Sequence, residues 1–256
     1  MTQNPLMVKN QELLDKLQNS IKQTVSQKKI GVAFSGGVDS TLVAKLCADL
    51  GYDITLLTIG FFESHDILFA KEVNKHLKLP HEILEIEPES FDEIASKINK
   101  KIKTENLSWN ENCIAFYYVS KLAQNLGLDT VVTANGIDEL FCGYNSYRDV
   151  IADGDDKVLG LMNSKIENEL KMMKTVNDVA SEFNVAILQP LLSDDFINFA
   201  QTIPVSEKIK GHDDLIRKHI IREAAIEAGV PELSANKRKK ALQYGSQIHK
   251  ALLKSR

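Results

Sequence analysis

Hydrophobic residues recur along this chain with two periods, and the alternation between them sets the fold class. Leu13, Leu14, Leu17, Ile21 and Val25 return at helical spacing and predict an amphipathic helix ahead of the first strand. The β-branched run "KIGVAF" then reads as a buried strand. Leu42, Val43, Leu46, Cys47 and Leu50 restore a helical period, and "DITLLTIGF" reads as a second buried strand. The series continues with a helix over Asp66 to Leu79, a strand at "HEILEIE", helices between Phe91 and Leu126, and a strand at "DTVVTA". Strands alternating with helices imply βαβ units, hence an α/β fold whose parallel sheet carries helices on both faces. From about Ile151 the pattern changes: "DGDDK" reads as a solvated loop, and helices are predicted over Lys165 to Phe183, Asp194 to Thr202 and Asp214 to Ala228. The expected organisation is an N-terminal helix over 1–29 followed by one domain over 30–256. That domain divides into an α/β core (30–150) and a mainly helical part (151–256) packed on it.

Composition narrows the classes of function. A chain of 256 residues, 43% hydrophobic, can bury one sizeable core. A formal net charge of -4 argues against a protein built mainly to grip nucleic-acid backbone, although "NKRKK" at Asn236 to Lys240 is a local basic cluster. The cysteines, Cys47, Cys113 and Cys142, are isolated and form no C-x-x-C pair, so no disulfide framework or zinc site is read from them and a reducing cytoplasm is expected. Charges interrupt the N-terminal segment where a signal peptide needs an apolar core, and no stretch is long and apolar enough to span a membrane.

Candidate chemistry begins at "SGGVDST", Ser35 to Thr41, between the first predicted strand and its helix. In an open parallel sheet, ligands bind beyond the carboxyl ends of the strands. Glycines there let backbone approach a ligand, the following helix offers unpaired N–H groups to an anion, and Ser35, Ser40 and Thr41 add hydroxyls. Asp39 would repel phosphate unless a cation lies between them, which points to Mg²⁺. The plainer alternative is a tight turn in which Asp39 or Ser40 caps a helix. This is no Walker A loop, since no Lys-Ser or Lys-Thr follows the glycines. In "VVTANGIDELFCGYNSYRD", Asn135, Asp138 and Glu139 follow another predicted strand and should emerge at the same sheet edge as Asp39. Two carboxylates supplied from separate strand ends can share one Mg²⁺.

The loop resembles the S-G-G-x-D-S/T signature of PP-loop ATP pyrophosphatases, and "IDELFCGY" is similar to the G-x-D-E-x-F-x-G-Y segment of asparagine synthetases. Collinear matches at "TIGFFESHD", "LQPLLSDDFINFAQTIP" and "DLIRKHIIREAAIEAGVPELSANKRKKALQYGS" extend the resemblance from about Ile30 to Ser246. It implies an adenine nucleotide α-hydrolase-like fold and an ATP-dependent, AMP-forming carbon–nitrogen ligase. ATP would lie on Ser35, Gly36, Gly37, Val38, Asp39, Ser40 and Thr41, with Ile59 and Gly60 at adenine. Asp39 and Asp138 would hold Mg²⁺, and Lys240 would meet the phosphates. Asn135 stands where the family carries a glutamate acting in ammonia transfer, and an amide can orient a substrate but not serve as a base. Either the nucleophile needs no base from this position, another carboxylate such as Glu139 or Glu111 substitutes, or the acceptor differs from aspartate.

The resemblance implies ATP and a small carboxylate, aspartate first, as substrates. Because it covers the synthetase part alone, nitrogen is expected from ammonia, an amine, or a separate glutaminase subunit. Association with a second copy stays open. Two further readings stand beside it: an ammonia-dependent NAD synthetase-like ligase, whose T-x-N-x-x-E pattern "TANGIDE" partly matches, and a catalytically inactive ATP-binding scaffold.

Overall fold

The computed structural model describes residues 5–238 and 241–254. Five strands form one parallel sheet: β1 (Lys29–Ala33), β2 (Asp53–Gly60), β3 (His81–Glu85), β4 (Thr130–Val132) and β5 (Ala186–Leu188), in the order β3-β2-β1-β4-β5. Parallel neighbours require crossovers, and helices supply them. Helix α1 (Pro5–Thr24) precedes the sheet. Then come α2 (Val38–Asp49), α3 (His65–Leu77), α4 (Pro88–Ile102) and α5 (Leu107–Asn125), followed between β4 and β5 by α6 (Ile137–Leu140), α7 (Ser146–Val150) and α8 (Asp155–Ala180). Beyond β5 lie α9 (Asp194–Thr202), α10 (Val205–Lys208), α11 (His219–Glu227), α12 (Glu232–Ala235), α13 (Leu242–Gly245) and α14 (Ile248–Lys254).

Strand alternation splits the apolar residues between two cores, one on each face. Ile30, Val32, Ile54, Leu56 and Val132 pack with α1, α2, α9 and α11, while Leu57, Ile59, Val131 and Ile187 pack with α4, α5, α8 and α14. The predicted stripe on α1 is wholly buried from Leu13 to Val25, each large side chain contributing roughly 2 kcal/mol. This is the expected α/β fold with a parallel sheet covered on both faces.

Three elements differ from the sequence expectation. The "DGDDK" segment is not a loop throughout: α8 starts at Asp155, because Gly154 turns the chain at φ 99 and Asp155 and Asp156 favourably face the positive end of the helix. The part beyond residue 151 also supplies β5, three residues pairing with β4. Helix α11 starts at His219 rather than Asp214, since Arg217 and Lys218 are left-handed at φ 52 and φ 55.

Lys208, at the end of α10, is fully buried; its ammonium donates to the Ala200 carbonyl at 2.8 Å and lies over the Phe141 ring. Burial pushes its pKa down from the ordinary 10.5 to about 8. Folding therefore favours the neutral amine. Below pH 8 both states bind the proton and the charged form costs on the order of 3 kcal/mol, a cost removed as pH rises from 8 to 10.5. Lys208→Met is expected to be more stable than wild type in urea at pH 7, and that difference is expected to shrink as pH rises across this window.

Candidate functional site

The strand order turns at β1: β2 and β3 lie to one side, β4 and β5 to the other. Such a switch point leaves a crevice at the carboxyl ends of the two central strands. Here it is a cleft of about 600 Å³ between the loop leaving β1 and the loop leaving β4. The β1 loop is held by its own hydroxyls: Ser40 Oγ accepts from the Ser35 N–H at 3.2 Å and donates to the Gly37 carbonyl at 3.1 Å. Gly37 is the N-cap of α2 and has no side chain to cap it, so the first-turn N–H groups are presented to any anion in the cleft.

Ser35, Gly37, Val38, Asp39 and Ser40 all line this cleft. Gly36 and Thr41 face the other way. Ser234 Oγ on α12 donates to the Gly36 carbonyl at 2.6 Å and to Thr41 Oγ1 at 3.0 Å, pinning the loop to the C-terminal helices from behind. Gly36 has φ 76, and a Cβ there would lie 3.2 Å from Ala70 backbone atoms, so this position requires glycine. At Gly37 a Cβ would meet only Ser35 Oγ, at 3.4 Å. Gly36→Ala is therefore expected to lose about 1–2 kcal/mol or more of stability in urea denaturation, while Gly37→Ala stays close to wild type.

Ile59 lines the cleft, whereas Gly60 packs against Ser64 and the Ser246 backbone and gives its carbonyl to the Ile86 N–H at 2.8 Å. From β4, Asn135, Asp138 and Glu139 reach the cleft as expected. Gly143 gives Asp138 its room, since a Cβ there would lie 1.9 Å from Asp138 Oδ1. Glu139 is structural in its contacts: it accepts from the Gly136 N–H at 3.0 Å and from the Tyr144 hydroxyl, bracing the turn around Asp138. Burial, then the Glu139, Asp138 and Glu169 charges, holds the Tyr144 hydroxyl well above its ordinary pKa, so it remains a donor.

Asp39 and Asp138 converge on a residue the sequence pattern does not single out. Lys218 Nζ donates to Asp39 Oδ2 at 2.6 Å and to Asp138 Oδ1 at 3.0 Å, from a side chain 2% exposed. Burial lowers its pKa, but the two carboxylates outweigh that and hold it above the ordinary lysine value. Lys218 is delivered by the loop 210–218. Arg222 gathers the Ile216 and Arg217 carbonyls at 2.9 and 2.7 Å, and Asp214 takes N–H groups from the same segment. Lys237 and Arg238, both exposed, also line the cleft, with Lys237 Nζ 4.6 Å from the Phe69 ring centre. Lys240 lies outside the described residues.

Asn135 is also partnered. Its Nδ2 donates to Glu169 Oε1 at 2.6 Å, and Glu169 is a buried residue of α8. Lys165, Glu169 and Met172 fall on one stripe of α8 and, with Asn112 and Phe116 of α5, line the same cleft. The two carboxylates considered from the sequence have other partners. Glu111 is buried against His249, 2.5 Å from its Nδ1, and Glu139 braces the turn. The arrangement thus combines an anion-binding helix start, a carboxylate pair with a buried ammonium, and an amide–carboxylate pair.

Mg²⁺ is bound in phosphate-handling sites by one or two carboxylates together with phosphate oxygens and water. Asp39 and Asp138, gathered on one nitrogen beside the α2 N-terminus, are a donor set of that kind. Among the described residues no cluster of three or more His, Cys, Asp or Glu offers an all-protein metal cage. No described helix is long and apolar enough to cross a membrane.

Comparison with known proteins gives three kinds of likeness. A protein of Methanocaldococcus jannaschii, named provisionally as a glutamine-hydrolysing asparagine synthetase, is 29% identical over 95% of this chain and 51% of its own length. The glutamine-hydrolysing asparagine synthetases of Arabidopsis thaliana and Bos taurus are 24% and 22% identical, over 80% and 79% of this chain and 37% of each relative. The chain therefore spans about half, or less, of the length of these relatives. Among solved structures, the NMN synthetase of Francisella tularensis superposes with a TM-score of 0.49 at 17% identity, covering 94% of this chain and 78% of that one. The asparagine synthase family model matches residues 12–185, which carry both the glycine loop and the Asp138 turn, and the chain belongs to that family.

Proposed function

We propose that this chain is an ATP-dependent amide ligase that activates a carboxylate as its adenylate and passes the acyl group to ammonia or an amine, with aspartate the first candidate substrate. The observation that carries this reading is the meeting of Asp39 and Asp138, from two strand ends at the switch point, on the buried ammonium of Lys218. ATP phosphates lie over Ser35 to Ser40 and the α2 N-terminus. A carboxylate oxygen forms a bond to the α-phosphorus as the bond from that phosphorus to the bridging oxygen of pyrophosphate breaks, and pyrophosphate carries away the electron pair. Lys218 and Lys237 supply fixed positive charge where the leaving group becomes more negative. Lys240 is assigned to the same task on the family resemblance.

Asp39 and Asp138 would hold Mg²⁺, which supplies charge neutralisation to the phosphates. In the second half, the amine attacks the acyl carbon and AMP leaves. Asn135 orients Glu169, and Glu169 takes the proton that the attacking nitrogen gives up. Glu169 thereby fills the role that Asn135 cannot.

The test is ATP–pyrophosphate exchange with a panel of carboxylates including aspartate and deamido-NAD, with and without ammonium. Exchange dependent on one carboxylate is expected, followed by AMP and an amide when the amine is added. ATP binding without exchange for any carboxylate would instead favour the inactive scaffold, and exchange with deamido-NAD alone would favour the NAD synthetase-like reading.

A further inference from the structure

Lys218 reaches the two carboxylates only because its backbone does something unusual. The apolar pattern predicts helix from Asp214 onward, and a helix there would carry Lys218 on an ordinary right-handed turn. Instead Arg217 and Lys218 are both left-handed, a conformation that non-glycine residues rarely adopt even singly. Strain of that kind persists only where the surroundings over-determine it.

Asp214 is the centre of those surroundings. Its Oδ1 accepts from the Ile216 N–H at 3.0 Å and the Arg217 N–H at 2.9 Å, and its Oδ2 from the Lys210 N–H at 2.9 Å, with the His219 ring Nε2 at 2.7 Å from the same oxygen. One side chain thus ties the start of the loop, the peptides just before Lys218 and the first residue of α11. Asp214 itself does not line the cleft. Burial pushes its carboxyl up, but the backbone N–H groups of Arg217 and Lys210 and the His219 ring outweigh burial and hold it at about 2, so it is a full carboxylate at any neutral pH.

We propose that Asp214 is a positioning residue for the cleft: by holding the Ile216 and Arg217 N–H groups it fixes the left-handed pair and delivers the Lys218 ammonium to Asp39 and Asp138. The proposal rests on the reading that Lys218 serves the nucleotide site. Asp214 acts through Lys218 and touches no reactant. Arg222 complements it by holding the Ile216 and Arg217 carbonyls, so the 216–217 peptide is gripped by an acceptor on its N–H and a donor on its carbonyl, and the 217–218 peptide that leads into Lys218 by the same guanidinium. His219 closes the arrangement from α11 by engaging Oδ2, the oxygen that does not face those peptides.

The experiment reads lysine geometry directly in the full-length, nucleotide-free chain. Amine acylation by a small reagent is followed by mass spectrometry at Lys218 and at Lys208, the second fully buried lysine and an internal control for general unfolding. Both are expected to be protected in the wild type. In Asp214→Ala, labelling of Lys218 is expected to rise about tenfold or more, as local opening without global unfolding allows, while Lys208 stays protected. Asp214→Asn keeps an oxygen for the Ile216 and Arg217 N–H groups but turns its amide donor toward the Lys210 N–H, so Lys218 labelling is expected to fall between wild type and Asp214→Ala. Unchanged Lys218 labelling in Asp214→Ala overturns the proposal, and so does a parallel rise at Lys208, which would make Asp214 a support for the whole helical part. MgATP affinity measured on the same proteins should weaken in Asp214→Ala and recover in part in Asp214→Asn. A wild type that fails to bind MgATP would count against the proposed function and leave the labelling result to decide the role of Asp214.

Discussion

ATP–pyrophosphate exchange is expected to fall roughly 10²–10³-fold in Lys218→Met, the range seen when one preorganised charge or donor is removed from a site of developing negative charge. The ammonium is buried, within hydrogen-bond reach of both Asp39 and Asp138, and next to the helix start on which phosphate would lie. Little water is available there to replace it. The same change leaves two carboxylates facing one another without their shared cation, and breaking a buried ion pair from one side costs about 3–5 kcal/mol. Urea denaturation must therefore accompany the kinetics, and exchange is to be compared only where the variant remains folded. Lys218→Arg keeps the charge but replaces a compact ammonium with a planar fork, so it is expected to recover stability better than exchange. If folded Lys218→Met exchanged at the wild-type rate, Lys218 would be a structural tie between Asp39 and Asp138 and nothing more.

This lysine also marks where sequence reading stops. Asp39 and Asp138 could be found because each sits just beyond a hydrophobic strand run, and strands at the centre of a parallel sheet bring their ends together. Lys218 follows no strand. Its approach depends on two left-handed residues and on Asp214 diverting a segment whose apolar spacing reads as helix from Asp214 onward. The division of labour within "SGGVDST" was hidden for a related reason. The resemblance gives all seven residues to ATP, yet Gly36 and Thr41 turn back onto Ser234 and only the remainder meet the cleft. In each case the missing information is tertiary: which face of a turn is covered, and by what.

Glu169 is the other such residue, and it separates the two halves of the proposed reaction. In Glu169→Gln, carboxylate-dependent ATP–pyrophosphate exchange is expected to stay within a few-fold of wild type, because Glu169 is a residue of α8 that engages Asn135, beyond β4. Amide formation is expected to fall by about 10²–10⁴, the usual worth of a positioned general base. Glutamine has nearly the shape of glutamate and can still meet the Asn135 amide through its oxygen, so packing is preserved while proton acceptance is lost. Asn135→Ala should give a smaller loss in the same half-reaction, since it removes the group that aims the carboxylate and leaves the carboxylate itself. Rapid-quench measurement of adenylate and amide in one experiment distinguishes the outcomes. Adenylate that accumulates in Glu169→Gln and is slowly consumed on adding amine is the expected signature. A parallel fall of both half-reactions would move Glu169 from proton transfer to carboxylate binding or to support of the α8 wall, and the base for the second step would then have to be sought elsewhere in the cleft.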